Sequence, residues 1–186
     1  MSKSSESYRG KILISNSTII TDDFNKSVVL VIEHDSVGAF GLVINKPSKY
    51  VLNEVVVGIP ENLSTIIPMF WGGPVDHSFI SILHNYKHLP DPGMEVIPDV
   101  YLSRSYDLLL RLLESDVGKF KVFHGYSGWG AGQLESEFVR KSWVDHNTTT
   151  EMVFDQDTDR IWKNALISKG GLYKYFAEHT KDPLLN

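Results

Sequence analysis

Apolar residues fall into two regimes along the chain: short β-branched runs bounded by turn residues in the first half, and runs at helical spacing in the second. The segment "GKILIS" (10–15) reads as a first short strand. "SVVLVIEH" (27–34) and "AFGLVIN" (39–45) are apolar at nearly every position and are joined by a Gly-containing loop, which predicts an antiparallel hairpin buried on both faces. Asn45-Lys46-Pro47 ends the second run, because proline has no N–H to give a strand ladder. "LNEVVVGI" (52–59) is compatible with a helical turn or two. "IIPMFWGGPV" (66–75) reads as a strand broken by Gly72-Gly73-Pro74, and "SFISIL" (78–83) as the next strand. "NYKHLPDPGM" (85–94) is a loop, since it is rich in proline and glycine.

Helices are predicted where the period changes. In "SYDLLLRLLES" (105–115) Leu108, Leu109, Leu112 and Leu113 recur at helical spacing behind the N-cap candidates Ser103 and Ser105. "GKFKVFHGY" (118–126) is a strand, followed by a glycine-rich turn and an amphipathic helix over 131–143 with Leu134 and Phe138 inward and a Glu137–Lys141 pair outward. A last helix is expected over 157–168, with Trp162, Ala165 and Leu166 on its apolar face and Gly170 as its stop. Strands first and helices later predict an α+β fold on a mixed sheet rather than a doubly wound parallel one.

Length and composition fit a single domain over residues 1–186, with a polar, frayed start at 1–8. Apolar residues make up 42% and charged residues 22%, which excludes a disordered chain. The absence of cysteine excludes disulfides, thiolate catalysis and cysteine-ligated metals. Residues 1–20 lack a basic segment followed by a long apolar run, and no run approaches the length of a membrane span, so the expectation is a cytoplasmic chain with no membrane contact. The net charge of −5 and the scattered placement of the 18 Lys and Arg residues argue against direct nucleic-acid contact, which needs a basic footprint.

Candidate chemistry centres on "HGYSGWGAGQLESE" (124–137). Gly125-Tyr126-Ser127-Gly128-Trp129 approaches a nucleophile elbow but places tryptophan where a small residue must pack on the helix. No lysine follows Gly130 as a P-loop requires, and Gly128, Gly130 and Gly132 miss the dinucleotide spacing by one residue. What survives is a strand, a glycine turn and a helix start, which serves either as architecture or as a cradle for a small anion. Trp129, flanked by glycines, is a candidate lid or partner contact. His84 and His88 have helical ligand spacing but sit in a loop, and Glu33-His34-Asp35 would alternate across a strand, so neither pair makes a metal site. No metal or cofactor is expected.

Taken together, "SVVLVIEH", "GAFGLVINKP", "WGGPV", "SYDLL" and above all "GYSGWGAGQLESE" with Ser142-Trp143 resemble the bacterial AlgH/YqgE family, in order from about Gly10 to Gly170. The resemblance implies a largely antiparallel mixed sheet curled into a partial barrel with helices outside, and it carries a label of transcriptional regulator without a secure activity. The motif positions are Glu33, His34, Gly38, Gly41, Asn45, Lys46, Pro47, Gly72, Gly73, Pro74, Gly125, Tyr126, Gly128, Trp129, Gly132, Gln133, Leu134 and Glu135. The family accepts alanine at Ser127, which no nucleophile tolerates. Residues 171–186 fall outside the resemblance as a C-terminal extension, whose Tyr173, Tyr175 and Phe176 are candidates to dock on the body or on a second copy in a homo-oligomer.

The leading expectation is therefore a module that binds a small anion or a protein partner. Its concave site would be built from the glycine turn (Gly125, Ser127, Gly128, Trp129, Gly130, Gly132, Gln133), the Gly72-Gly73 break and the Asn45-Lys46 corner. Regulation of transcription, direct or through a partner, is the alternative. An enzyme using Glu33, His34 or Glu135 as acid or base, with Lys46 anchoring an anion, is the third.

Overall fold

The computed structural model describes residues 7–16, 22–63, 66–115 and 118–179, apart from the Phe176 side chain. Most of the expected frayed start, and residues 180–186 of the expected extension, lie outside these. Among the described residues there are ten strands: β1 (Lys11–Ser15), β2 (Val28–Asp35), β3 (Gly38–Val43), β4 (Pro47–Val51), β5 (Pro68–Trp71), β6 (Val75–His84), β7 (Met94–Ile97), β8 (Val100–Ser103), β9 (Phe120–Gly130) and β10 (Trp143–Asn147). The helices are α1 (Leu52–Val55), α2 (Tyr106–Glu114), α3 (Gln133–Val139), α4 (Thr150–Phe154), α5 (Thr158–Lys169) and α6 (Gly171–His179).

The strands form one mixed sheet in the order β10-β1-β2-β3-β9-β6-β8-β7, curled into a half-barrel with helices around it, as an α+β fold requires. All pairings are antiparallel except that of β5, which runs parallel to β9 and carries β4 on its other side. The β2–β3 hairpin is buried on both faces as its sequence predicts: Val28, Leu30 and Ile32 enter one core, and Val29 and Val31 enter another. The first core also takes Met152 and Val153 of α4, Ile161, Trp162, Ala165 and Leu166 of α5, and Ala177 of α6. The second holds Trp129 and Trp143 with Leu134 of α3. A third packs Leu108, Leu109 and Leu112 of α2 on Leu52, Met69, Ile82 and Val122. Burying a leucine is worth about 1.5–3 kcal/mol, so three on one face anchor a nine-residue helix that would be marginal alone.

Three sequence expectations are corrected. The glycine turn is not a turn: β9 continues through Gly125 and Gly128 to Gly130, because the strand pairs with β3 at Gly41↔Ser127, Phe40↔Gly128 and Ala39↔Trp129. Only Ala131-Gly132 turn, with Gly132 in the left-handed region at φ 71°. The helix behind it stops at Val139, and Trp143 begins β10 rather than ending a helix, since its indole is needed in the second core. Finally, the loop expected over 85–94 stops before Met94, where β7 begins a hairpin with β8, while "SFISIL" is a strand as expected, within the longer β6.

Two irregularities open the sheet beside β9. β9 changes partner along one edge, pairing with β3 beyond Tyr126 and with β5 before Gly125. Gly72 sits at this split: its N–H donates to His124 O at 2.9 Å, and its carbonyl accepts from Val43 N at 2.9 Å. On the other edge, β6 pairs Val75 with Tyr126 but Ile80 with His124, so residues 76–79 bulge out of the ladder.

Candidate functional site

At the split in the sheet lies a cavity of about 620 Å³, lined by Pro47, Ser48, Lys49, Tyr50, Val55, Trp71, His77 and His124. Each side chain is placed by a local backbone reason. Lys46 O accepts from Trp71 N at 2.9 Å, so the chain leaving the hairpin is turned along β5 and presents Ser48 and Tyr50 of β4. His124 comes from β9, and His77 comes from the bulge in β6, whose Asp76 at φ 41° receives the Ser78 backbone and hydroxyl.

His124 is the centre of the site. It is only 5% exposed, and its Nε2 lies 2.8 Å from Ser48 Oγ. The Tyr50 ring meets it edge-on at 5.4 Å, and the His77 ring is 5.7 Å away. Burial, and secondarily the neighbouring His77, hold its pKa below the ordinary value of 6.5, so the ring is neutral at neutral pH. Ser48 Oγ also accepts from Tyr50 N at 3.1 Å, and in the His124 tautomer protonated at Nδ1 the hydroxyl proton is directed to Nε2. On the rim, Lys49 Nζ stands 5.1 Å from the Tyr50 ring centroid.

The three segments singled out from sequence do converge here, as framework rather than lining. Gly72 and Gly73 pack so closely on β9 that a Cβ on Gly72 would lie 2.3 Å from Gly125 O, and one on Gly73 2.2 Å from Tyr126 C. Gly125, at φ 68°, faces Gly73 O in return. Ser127 is fully buried and donates to Gly72 O at 3.1 Å, so its hydroxyl pins the split and reaches no substrate. Asn45 is a brace: Oδ1 accepts from Val28 N and Nδ2 donates to Lys26 O, both at 2.8 Å. Lys46 donates to Asp23 O and lies 5.3 Å from the Trp71 ring centroid, with its pKa lowered by burial and partly restored by Asp23.

The remaining candidates lie elsewhere. Gly130 N donates to Gln133 Oε1 at 3.1 Å, which ties the strand end to α3 through a side chain and not through an anion. Trp129 is no lid, being 7% exposed. Its indole N–H donates to Glu137 Oε2 at 2.8 Å, Trp143 donates to the same oxygen at 2.7 Å, and Gln133 Nε2 donates to Oε1 at 3.0 Å. Glu137 therefore turns inward, against the expected exposed pair with Lys141, because two buried indoles need an acceptor. His34 and Glu135 do meet, at 3.0 Å between Nε2 and Oε1. His34 Nδ1 accepts from Tyr8 N at 3.1 Å and the Tyr8 ring stacks on Phe138, so this pair fastens the N-terminal segment to α3. Glu33 points away from it and borders, with Trp129, a shallower depression of about 240 Å³. His84 is buried and donates to Pro92 O at 2.7 Å, and among the described residues no group of three His, Asp or Glu is arranged for a metal ion.

Sequence reading missed Ser48, His77 and His124 as a group. His124 opens the glycine motif and Ser48 follows Pro47, but 76 residues separate them, and nothing short of the pairing of β4, β5 and β9 brings them together.

A model of the AlgH-like family matches residues 12–174. A UPF0301 protein of Chlorobaculum tepidum is 33% identical over 180 residues, covering 95% of this chain and 95% of its own. Another, from Cytophaga hutchinsonii, is 34% identical over 182 residues, 96% of this chain and 98% of its own. The solution structure of the AlgH protein from Pseudomonas aeruginosa superposes with a TM-score of 0.76 at 26% identity, over 98% of this chain and 99% of that one. A crystal structure of a Corynebacterium diphtheriae protein, 17% identical, shares the fold with a TM-score of 0.76, over 95% of this chain and 94% of that one. By the match of motif, length and fold, the chain belongs to the AlgH-like family.

Proposed function

We propose that the protein is a binding module whose cavity at His124 takes a small anionic molecule with a flat apolar body. One observation carries this reading: among the described residues the lining holds Lys49, His77 and His124 and no carboxylate, in a chain with 23 acidic residues. A concave site purged of negative charge inside an acidic protein focuses potential on an anion. Tyr50, Trp71, Val55 and Pro47 supply the apolar walls on which a ring or short chain packs, and pockets of this size suit ligands of metabolite scale. Lys46 supports the reading from behind, since its ammonium braces Trp71.

The test is calorimetric titration with a panel of aromatic carboxylates and phosphate monoesters, read together with thermal shift. Binding is expected to weaken with added salt and to fall about tenfold or more in Lys49→Glu and in Trp71→Ala. Affinity untouched by both substitutions, in folded protein, would place the ligand elsewhere and end this reading.

A further inference from the structure

The hydrogen bonds of Ser127 in the glycine motif, and of Ser168 and Ser48 beside histidine rings, separate the three. Ser127 gives its proton to Gly72 O and is buried. Ser168 lies 2.9 Å from His146 Nε2 but donates to Ala165 O at 2.8 Å in its own helix, so it turns a lone pair and not a proton to the imidazole. Ser48 has the opposite polarity. Its oxygen accepts from Tyr50 N, and with His124 protonated at Nδ1 its proton is given to His124 Nε2 at 2.8 Å, since among the described residues no backbone carbonyl takes it as one does from Ser127 and Ser168. Ser48 is half-buried and lines the cavity with His124, where a substrate can reach it.

We infer that Ser48 and His124 are a nucleophile and its general base, and that the cavity accepts carboxylic esters or thioesters bearing an anionic group, which acylate Ser48 Oγ. The substrate's charge rests on the proposal that the cavity binds anions. In the first step a bond forms from Ser48 Oγ to the carbonyl carbon while the hydroxyl proton passes to His124 Nε2. The bond to the leaving oxygen or sulfur then breaks, and that atom takes the proton back from Nε2. Water repeats the sequence on the acyl-serine, giving its proton through His124 to Ser48 Oγ as the acid departs. Burial favours the neutral imidazole the first step needs. Lys49 and His77, on the same lining, are the cationic and N–H groups at hand for the carbonyl oxygen. His124 has Tyr50 and His77 rings as ring neighbours and no carboxylate paired with it among the described residues, so turnover is expected to be slow beside that of a full triad.

The experiment treats the full chain with an alkyl fluorophosphonate, in which Ser48 Oγ displaces fluoride and the proton goes to His124, and separately with 4-nitrophenyl acetate. Peptide mass mapping is expected to find one adduct, on Ser48, and the ester to give a burst of 4-nitrophenolate equal to the protein present. Both should vanish in Ser48→Ala and slow about 100-fold in His124→Gln, while Ser168→Ala behaves as wild type. The rate in wild type should rise with pH as one group with a pKa below 6.5 loses its proton, which keeps the test decisive if His124→Gln does not fold. No adduct on Ser48, an adduct undiminished in folded His124→Gln, or a rate flat across that ionisation overturns the inference. Ligand binding that survives in Ser48→Ala without any adduct in wild type sinks the chemistry alone and leaves the binding module standing.

Discussion

Glycines that look alike in the motif differ in the space around them. A Cβ at Gly130 would meet nothing within 4 Å, whereas one at Gly73 would strike the Tyr126 backbone at 2.2 Å from a φ of 151°. Gly130→Ala should leave the urea midpoint almost unchanged, and Gly73→Ala should cost about 3 kcal/mol or more, because backbone cannot yield as a side chain does. Equal losses would mean that β9 does not run through the motif as described. Glu137 is a second case in which environment decides what composition cannot. Glu137→Ala strands the indole N–H groups of Trp129 and Trp143, and a loss of about 2–4 kcal/mol is expected in the same assay. The family motif includes Trp129, Gly72 and Asn45, and in the structure Gly72 and Asn45 are held by packing and hydrogen bonding beside the sheet split while Trp129 is held in the second core by Glu137. A motif records that a residue is constrained, and only its neighbours say by what.

Elements with a clean period were legible: the β2–β3 hairpin, α2 behind its Ser105 cap, and α5 up to Gly170. Those whose form is imposed from outside were legible in part or not at all, and β9 was predicted only as far as Tyr126. β9 carries four glycines between 125 and 132 in and beside it, and stays extended because β3, β5 and β6 all pair with it. β4 is the reverse case, a strand held to β5 at only Pro47↔Phe70 and Val51↔Pro68 with a shift between. Native-state hydrogen exchange should therefore be slowest in β9 and β2 and fast in β4, and a ligand in the cavity should slow β4 selectively. Protection of β4 equal to that of β9 in the free protein would contradict the open register. The candidate site escaped the sequence for a related reason, since its wall β4 is held to β5 at only two registered pairs and its floor joins β5 and β9, strands that were each predicted but not as neighbours.

At the scale of the whole molecule, α+β class and a partial barrel were legible from the order of strand and helix patterns together with the family resemblance. Which residues would share a cavity was not, because that depends on a parallel pairing between β5 and β9 across about fifty positions. Global stability should also respond to pH through buried histidine. His84 accepts from Tyr86 N at Nδ1 and donates from Nε2 to Pro92 O, so the fold holds it neutral; burial lowers its pKa from 6.5, and the Pro92 bond only partly opposes this. Its contribution is present above the unfolded value and lost as pH falls through the lower folded one, and His124 acts in the same direction. Melting temperature should drop below pH 6.5, and His84→Gln, which keeps a donor and an acceptor, should flatten that slope. An unchanged slope would remove His84 from the account.

The pairing of β1 with β10, Lys11↔Asn147 through Ser15↔Trp143, has a meaning for how the protein is made. Trp162 reinforces it by donating to Ser15 O across 147 positions of chain. A strand made long before its partner must wait, its outer edge unpaired, until the ribosome has released β10. Fragments ending before residue 143 should thus be insoluble or chaperone-bound however long they are, and solubility should appear abruptly once β10 and α5 have emerged.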